Sequence, residues 1–291
     1  MRVVVGLLCF SALTLRPAQA PTRPQRPVTH DLTIVIGDSL IRAPTLFDAG
    51  HVILKVTNTG KHFHQVALML VPRGRSAAED LRTLRTTGRM PGGLTASGGL
   101  GPLPPGQSAS VLMRVPPGEY LLLCTLNGPG GDQWFKQGMA TSIVAQGVGE
   151  SRFAYEDAAS GLLVSEARFR FGNTTHQGDR LVLFEGRNRL TEVIRGPQTI
   201  QIENAGGVPH SVVLIKSETP EVMRAYIAWV DGRGPAPDII GGVPALPVGG
   251  AREYLRVNLT QGSYVLFCPQ FHPRTGLRGY ETGEFSQFVA R

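Results

Sequence analysis

The chain carries one arrangement twice: an Asn-x-Gly turn and a histidine, then, about sixty residues on, a Gly-x-Tyr-x-x-x-Cys strand. The first copy runs Asn58-Thr59-Gly60-Lys61-His62-Phe63-His64 and then Gly118-Glu119-Tyr120-Leu121-Leu122-Leu123-Cys124. The second runs Asn204-Ala205-Gly206-Gly207-Val208-Pro209-His210 and then Gly262-Ser263-Tyr264-Val265-Leu266-Phe267-Cys268. His64 and His210 lie 146 positions apart, Cys124 and Cys268 144. An offset so nearly constant marks the duplication of a whole domain with small insertions and deletions. The chain must therefore fold as two like units, each with its own core.

The first twenty of 291 residues read as a secretory signal. Arg2 supplies the positive start, Val3 to Leu15 the apolar run, and Ala18-Gln19-Ala20 the small-residue cleavage site. The expected mature chain begins near Pro21 and is exported, to a periplasm or an extracellular space. Its alternative is an uncleaved anchor. No other stretch approaches the roughly 20 apolar residues of a stable membrane span. Processing would remove Cys9, Arg2 and Arg16, lowering the net charge from +7 to +5 and leaving two cysteines. Equivalent core positions of neighbouring domains rarely approach within the ~4.4–6.8 Å Cα separation of a disulfide, so Cys124 and Cys268 are expected as free thiols. The basic residues are scattered single arginines rather than a stripe with interleaved aromatics, which argues against a nucleic-acid partner.

With 36 Gly and 22 Pro, the sequence favours short strands joined by many turns. Strands are predicted over 32–36, 51–58, 65–72, 108–115, 120–126 and 139–145, each rich in Val, Ile or Leu and bounded by Gly, Pro or Asn. Gly92–Gly101 and Gly128–Gly131 read as loops. One helix is expected in each repeat just after the strand that follows its His. The first is announced by a Ser76-Ala77-Ala78-Glu79 capping box with Leu81 and Leu84 behind it. The second has Thr219 as cap, Pro220 in first position, and an apolar face of Val222, Tyr226, Trp229 and Val230. The expected organisation is a signal peptide (1–20), a Pro-rich arm (21–29), a first domain (30–147), a linker (148–160) and a second domain (161–291). The opening of the second domain matches that of the first poorly.

The Asn-x-Gly…His turn, the Pro-Gly-x-Tyr-like entry to the Cys strand, and Gly138-Met139 before the last strand resemble the cupredoxin family. The resemblance covers most of 30–145 and 180–291. It implies an all-β chain of two tandem Greek-key sandwiches, each with one short inserted helix. The family's type 1 copper needs a trigonal His2Cys plane and a weak axial Met. In the first repeat the resemblance assigns His64, Cys124 and Met139 to that set, but Trp134 stands where the second His belongs. An indole N–H only donates, so this site is degenerate. In the second repeat it assigns His210, Cys268 and, at Cys-x-x-x-His spacing, His272. Glu284 occupies the Met position and is the candidate axial donor, with Glu281 and Gln287 as alternatives. The expected cofactor is copper, at most one per chain and only in the second domain.

The resemblance leaves two functional classes open. One is copper binding or single-electron transfer, with a redox or copper-delivery protein as partner. The other is a metal-free binding module whose ligand-like residues are relics of the duplication. A multicopper oxidase or copper nitrite reductase is disfavoured. Seven histidines, a single His-x-His pair at His62 and His64, and no His-Cys-His run do not supply the extra centres such enzymes use. No Gly-x-Ser-x-Gly elbow, His-Glu-x-x-His helix or phosphate-cradling loop is present.

Overall fold

The computed structural model describes residues 29–147 and 191–291 apart from 205–207, 249–250 and 273–274, and the backbone of five short strands between those stretches. The expected signal (1–20), nearly all of the arm and the linker (148–160) lie outside the described residues. No helix among those described is long and apolar enough to cross a membrane.

The fold is all-β with two short helices. The first repeat comprises β1 (Thr29–Gly37), β2 (Leu40–Arg42), β3 (Leu46–Asp48), β4 (Gly50–Asn58), β5 (His64–Leu70), α1 (Ala77–Thr87), β6 (Thr95–Leu103), β7 (Ser108–Val115), β8 (Gly118–Leu123) and β9 (Ala140–Gln146). Then come β10 (Leu162–Ser165), β11 (Phe169–Phe171), β12 (Thr174–His176), β13 (Val182–Glu185), β14 (Asn188–Arg189) and β15 (Glu192–Val193). The rest is β16 (Gly196–Asn204), β17 (His210–Lys216), α2 (Val222–Val230), β18 (Ile239–Leu246), β19 (Ala251–Leu259), β20 (Gly262–Phe267) and β21 (Phe285–Ala290).

Each repeat contributes one five-stranded sheet, ordered β3-β9-β8-β5-β6 and β15-β21-β20-β17-β18. The two strand orders are the same pattern, strand for strand. Opposite them lies a single nine-stranded sheet, β14-β13-β10-β16-β19-β7-β4-β1-β2, shared by both repeats. It is continuous because β7 and β19, equivalent strands of the two repeats, pair antiparallel with Glu253 opposite Met113 and Leu255 opposite Val111. Both halves also use the same parallel pairing, β1 on β4 and β10 on β16. Thus β10 plays the part of β1, an equivalence hidden in the sequence.

The core fills the space between these layers. Leu32, Ile34, Leu54 and Val56 of β1 and β4 face Val66, Leu68, Tyr120 and Leu122, all buried. Leu121 and Leu123 point the other way, beneath Leu81 and Leu84 of α1. That is why β8 is apolar without alternation: a helix covers its second face. In the second repeat Val265 and Phe267 lie in the same way beneath Met223, Tyr226 and Ile227 of α2.

Three local expectations are corrected. Ser76 makes no side-chain cap; the Ala77 N–H donates instead to the Glu119 carboxylate at 2.6 Å, so the cap arrives from β8. Helix α2 starts at Val222 with Glu221 before it, rather than at a Thr219 cap; Tyr226 of the expected face is buried with Met223 and Ile227, and Val222, Trp229 and Val230 are partly buried against the same core. The run Gly92–Gly101 is no loop throughout, since β6 occupies its second half. A Cβ at Gly99 would press on Val66 O of β5 and reach Pro244 of β18, so only glycine lets these strands approach.

Candidate metal centre

Each site sits where the Asn-x-Gly turn meets the end of the Cys strand, and buried amides hold those turns. Asn58, fully buried, donates through Nδ2 to the carbonyls of His62, Leu103 and Pro104, and its Oδ1 accepts from Gly60 N. Asn204 does likewise, donating to Val208 O at 2.8 Å and Leu246 O at 3.4 Å. The turn therefore closes on the neighbouring strand and sets the first residue of β5 or β17, His64 or His210, facing inward.

In the second repeat His210, Cys268 and Glu284 converge. His210 Nδ1 lies 3.7 Å from Cys268 Sγ and 3.1 Å from Glu284 Oε2, and all three residues are buried. Their ligand atoms lie within 4.8 Å of one another, the one such group of His, Cys, Asp and Glu among the described residues. Glu284 Oε1 is buried with no hydrogen-bond partner among them. Burial raises the Cys268 thiol above its ordinary value, opposed by the hydrogen bond to His210 and reinforced by the charge of Glu284.

His272 does not join this group. Its backbone closes a tight turn, His272 N–H to Leu277 O and Gly276 N–H to His272 O, on the loop beyond Cys268. The carboxylate expected as a weak axial donor stands beside the imidazole as a member of this group, and His272 is not among its three residues. Glu281 is turned to its own loop, where its carboxylate accepts the Arg278 N–H.

In the first repeat His64 Nδ1 lies 3.8 Å from Cys124 Sγ, the same relation as His210 to Cys268. Cys124 also accepts from Gln65 N at 3.5 Å, and burial pushes its thiol up to about 11. Among the described residues, no carboxylate is grouped with this pair as Glu284 is with His210 and Cys268. Trp134 packs edge-on against His64 with ring centroids 4.7 Å apart, and against His62 at 5.2 Å. Met139 is fully buried.

Backbone hydrogen bonds align the two sites atom for atom. Cys124 N–H donates to Met139 O as Cys268 N–H donates to Glu284 O. Met139 N–H donates to Trp134 O as Glu284 N–H donates to Gly279 O. Glu284 thus takes the Met139 position and Gly279 the Trp134 position. Where one repeat places an indole over its histidine the other has no side chain, and the Glu284 carboxylate uses the room. A Cβ on Gly279 would meet that carboxylate and lie 2.7 Å from Cys268 Cβ.

Sequence reasoning missed Asp38 and Gly279. Asp38 Oδ1 lies 2.9 Å from His64 Nε2 and 3.2 Å from His62 Nδ1, and its carboxylate accepts the N–H groups of Lys61 and His62. Burial works against its charge, yet these hydrogen bonds hold Asp38 far below the carboxylate range. Burial pulls His64 below its ordinary value although Asp38 works the other way. Asp38 lies outside the repeated motif, 26 residues before His64, so nothing in the turn announces it. The signal for Gly279 was its offset: it precedes Glu284 by the same five residues that separate Trp134 from Met139.

No family model matches the chain, and a search of curated proteins finds no similar sequence. Solved structures with a similar arrangement of strands are cupredoxins and multicopper oxidases. Reduced auracyanin from Roseiflexus castenholzii is 18% identical, over 42% of this chain and 100% of that one, with a TM-score of 0.28. Rusticyanin from Thiobacillus ferrooxidans is 18% identical over 45% and 76%, also at 0.28. A multicopper oxidase spans 90% of this chain and 88% of its own at 16% identity and a TM-score of 0.24. Identities this low concern the fold alone, and with TM-scores under 0.5 the chemistry rests on this chain's own side chains.

Proposed function

We propose that the second repeat binds one copper ion through His210, Cys268 and Glu284, and that the exported protein carries copper or single electrons rather than catalysing a reaction. The observation that supports this reading is the group itself: imidazole, thiol and carboxylate, buried together, with one carboxylate oxygen lacking any partner. Buried polar atoms are almost always satisfied, so an orphaned Oε1 beside a thiol suits a site made for a cation. Thiolate and imidazole suit copper, and a carboxylate suits a harder ion, so the mixed set tolerates both oxidation states better than an all-sulfur site. Copper, when bound, supplies one-electron chemistry. The chain's residues supply the rest. Cys268 would ligate as the thiolate and His210 as the neutral imidazole, so uptake of the ion would release the thiol proton to solvent; His210 Nδ1 lies 3.7 Å from Sγ and 3.1 Å from Glu284 Oε2. The partner is a redox or copper-delivery protein.

The test is copper titration of the chain, residues 21–291, followed by absorption and EPR. One copper per chain is expected, abolished in His210→Ala and Cys268→Ser and retained in His64→Ala. Unchanged stoichiometry in Cys268→Ser would sink the assignment.

A metal-free scaffold is the second reading, and the first repeat favours it for its own site. There Trp134 closes over the His64–Cys124 pair and Asp38 engages the other imidazole nitrogen, so the site is packed as core. A chain that takes up no copper at either site would be an interaction module built on two such cores.

A further inference from the structure

The five-stranded sheets of the two repeats meet along β6 and β18, and beside that meeting lies a cleft of about 430 Å³ walled by both repeats. We infer that this cleft binds a small organic anion with an apolar body, such as an aromatic carboxylate. The volume falls within the range of small-molecule sites, and the composition follows the same rule, an apolar wall with few polar groups. Ala67 and Met69 of β5, Val213 of β17 and Val230 of α2 form apolar wall.

Two polar groups on that wall keep donors that no described residue takes up. Tyr226 is 4% exposed, and its ring is held by Trp229 and Phe267 at centroid distances of 5.4 and 5.3 Å. Its hydroxyl has no hydrogen-bond partner among the described residues. Tyr226 lines the cleft, so its hydroxyl is available to a bound acceptor. Arg278 spends one N–H on Pro269 O at 2.9 Å and lays its guanidinium over Phe271 at 4.1 Å. No carboxylate pairs with it among the described residues; Glu281 accepts only its backbone N–H. Arg278 and Tyr226 both line the cleft. Among the other polar lining groups, Gln65 Nε2 donates to Thr125 Oγ1 and Gln133 Nε2 to Thr125 O, while Ser211 and Gln270 add further polar groups to the wall. A guanidinium and a phenol donor lining the same largely apolar cleft select a carboxylate or sulfonate.

The inference does not depend on copper, and copper-free protein serves for its test. The probe is 1-anilinonaphthalene-8-sulfonate, read by fluorescence titration of the full chain, with N-phenyl-1-naphthylamine as the same body without charge. Saturable binding at one sulfonate per chain is expected, weakened roughly tenfold in Arg278→Gln and several-fold in Tyr226→Phe. Binding of the uncharged probe should be unmoved by Arg278→Gln. Tyr226→Phe keeps both ring contacts, so its folding, checked by circular dichroism, is expected to match the parent. Equal affinity for the sulfonate in parent, Arg278→Gln and Tyr226→Phe would overturn the inference, as would the absence of saturable binding.

Discussion

At the scale of the residue, the difference between the two sites comes down to one exchange. Trp134 and Gly279 occupy the same rung of the same backbone ladder, and what each does with the space above the histidine decides the chemistry beneath. Gly279 earns its place by absence, leaving room for the Glu284 carboxylate beside Cys268 and His210. Gly279→Ala is expected to displace that carboxylate, weaken copper uptake at least about tenfold, and cost ~1–3 kcal/mol of stability as an overpacked core does. Gly234→Ala is the control, since a Cβ there meets nothing within 4 Å. Copper titration and thermal melting of the two variants check it; equal copper affinity in Gly279→Ala and the parent would mean that Glu284 is no ligand.

At the scale of the element, β6 is the informative strand. Its sequence, Thr-Ala-Ser-Gly-Gly-Leu-Gly-Pro-Leu, has the composition of a loop, and only its neighbours make it a strand. It pairs with β5 and lies along β18, its counterpart in the other repeat, and glycine on both strands permits the approach. A Cβ at Gly242 of β18 would come against Val212 O and lie 2.9 Å from Gly101 O of β6. Gly242→Val is therefore expected to force the seam apart, lowering stability by ~2 kcal/mol or more. In denaturant it should split one unfolding transition into two as the repeats lose their coupling. A single transition at the parent's midpoint would show that the glycine contact contributes nothing to that coupling.

At the scale of the molecule, the pairing of β7 with β19 turns two half-sheets into one, and a carboxylic acid lies at that join. Glu253, opposite Met113, is 2% exposed, and burial raises it well above its ordinary 4.5 against the weaker opposing effect of the Gly99 backbone N–H. The unfolded chain releases this proton near 4.5 while the folded chain keeps it. The folded state thus binds more protons above that pH, and its stability falls as pH rises toward the folded value. Glu253→Gln, which cannot ionise, is expected to flatten that decline and to be more stable than the parent at pH 8 than at pH 4. Melting temperatures of both proteins at the two pH values check it, and parallel curves would show Glu253 to be solvated.

Much of this molecule could be read from its residues because the controlling interactions are local or repeated. The strands at 32–36, 51–58 and 108–115, the Asn-x-Gly turns and the offsets between His and Cys follow from patterns that need no partner. The equivalence of β10 with β1 could not be read, because parallel pairing leaves no constant spacing. Nor could Asp38, whose tie to His64 spans 26 residues.

By itself, then, the sequence determined two like all-β units, each bringing a histidine and a cysteine to one end. Only the tertiary structure decided that Glu284, and not His272, joins His210 and Cys268, and that the two units share one sheet. Which side chains meet at the site, and whether the sheet is continuous, depend on what fills the space between strands far apart in the chain, and packing settles that only once all of them are in place.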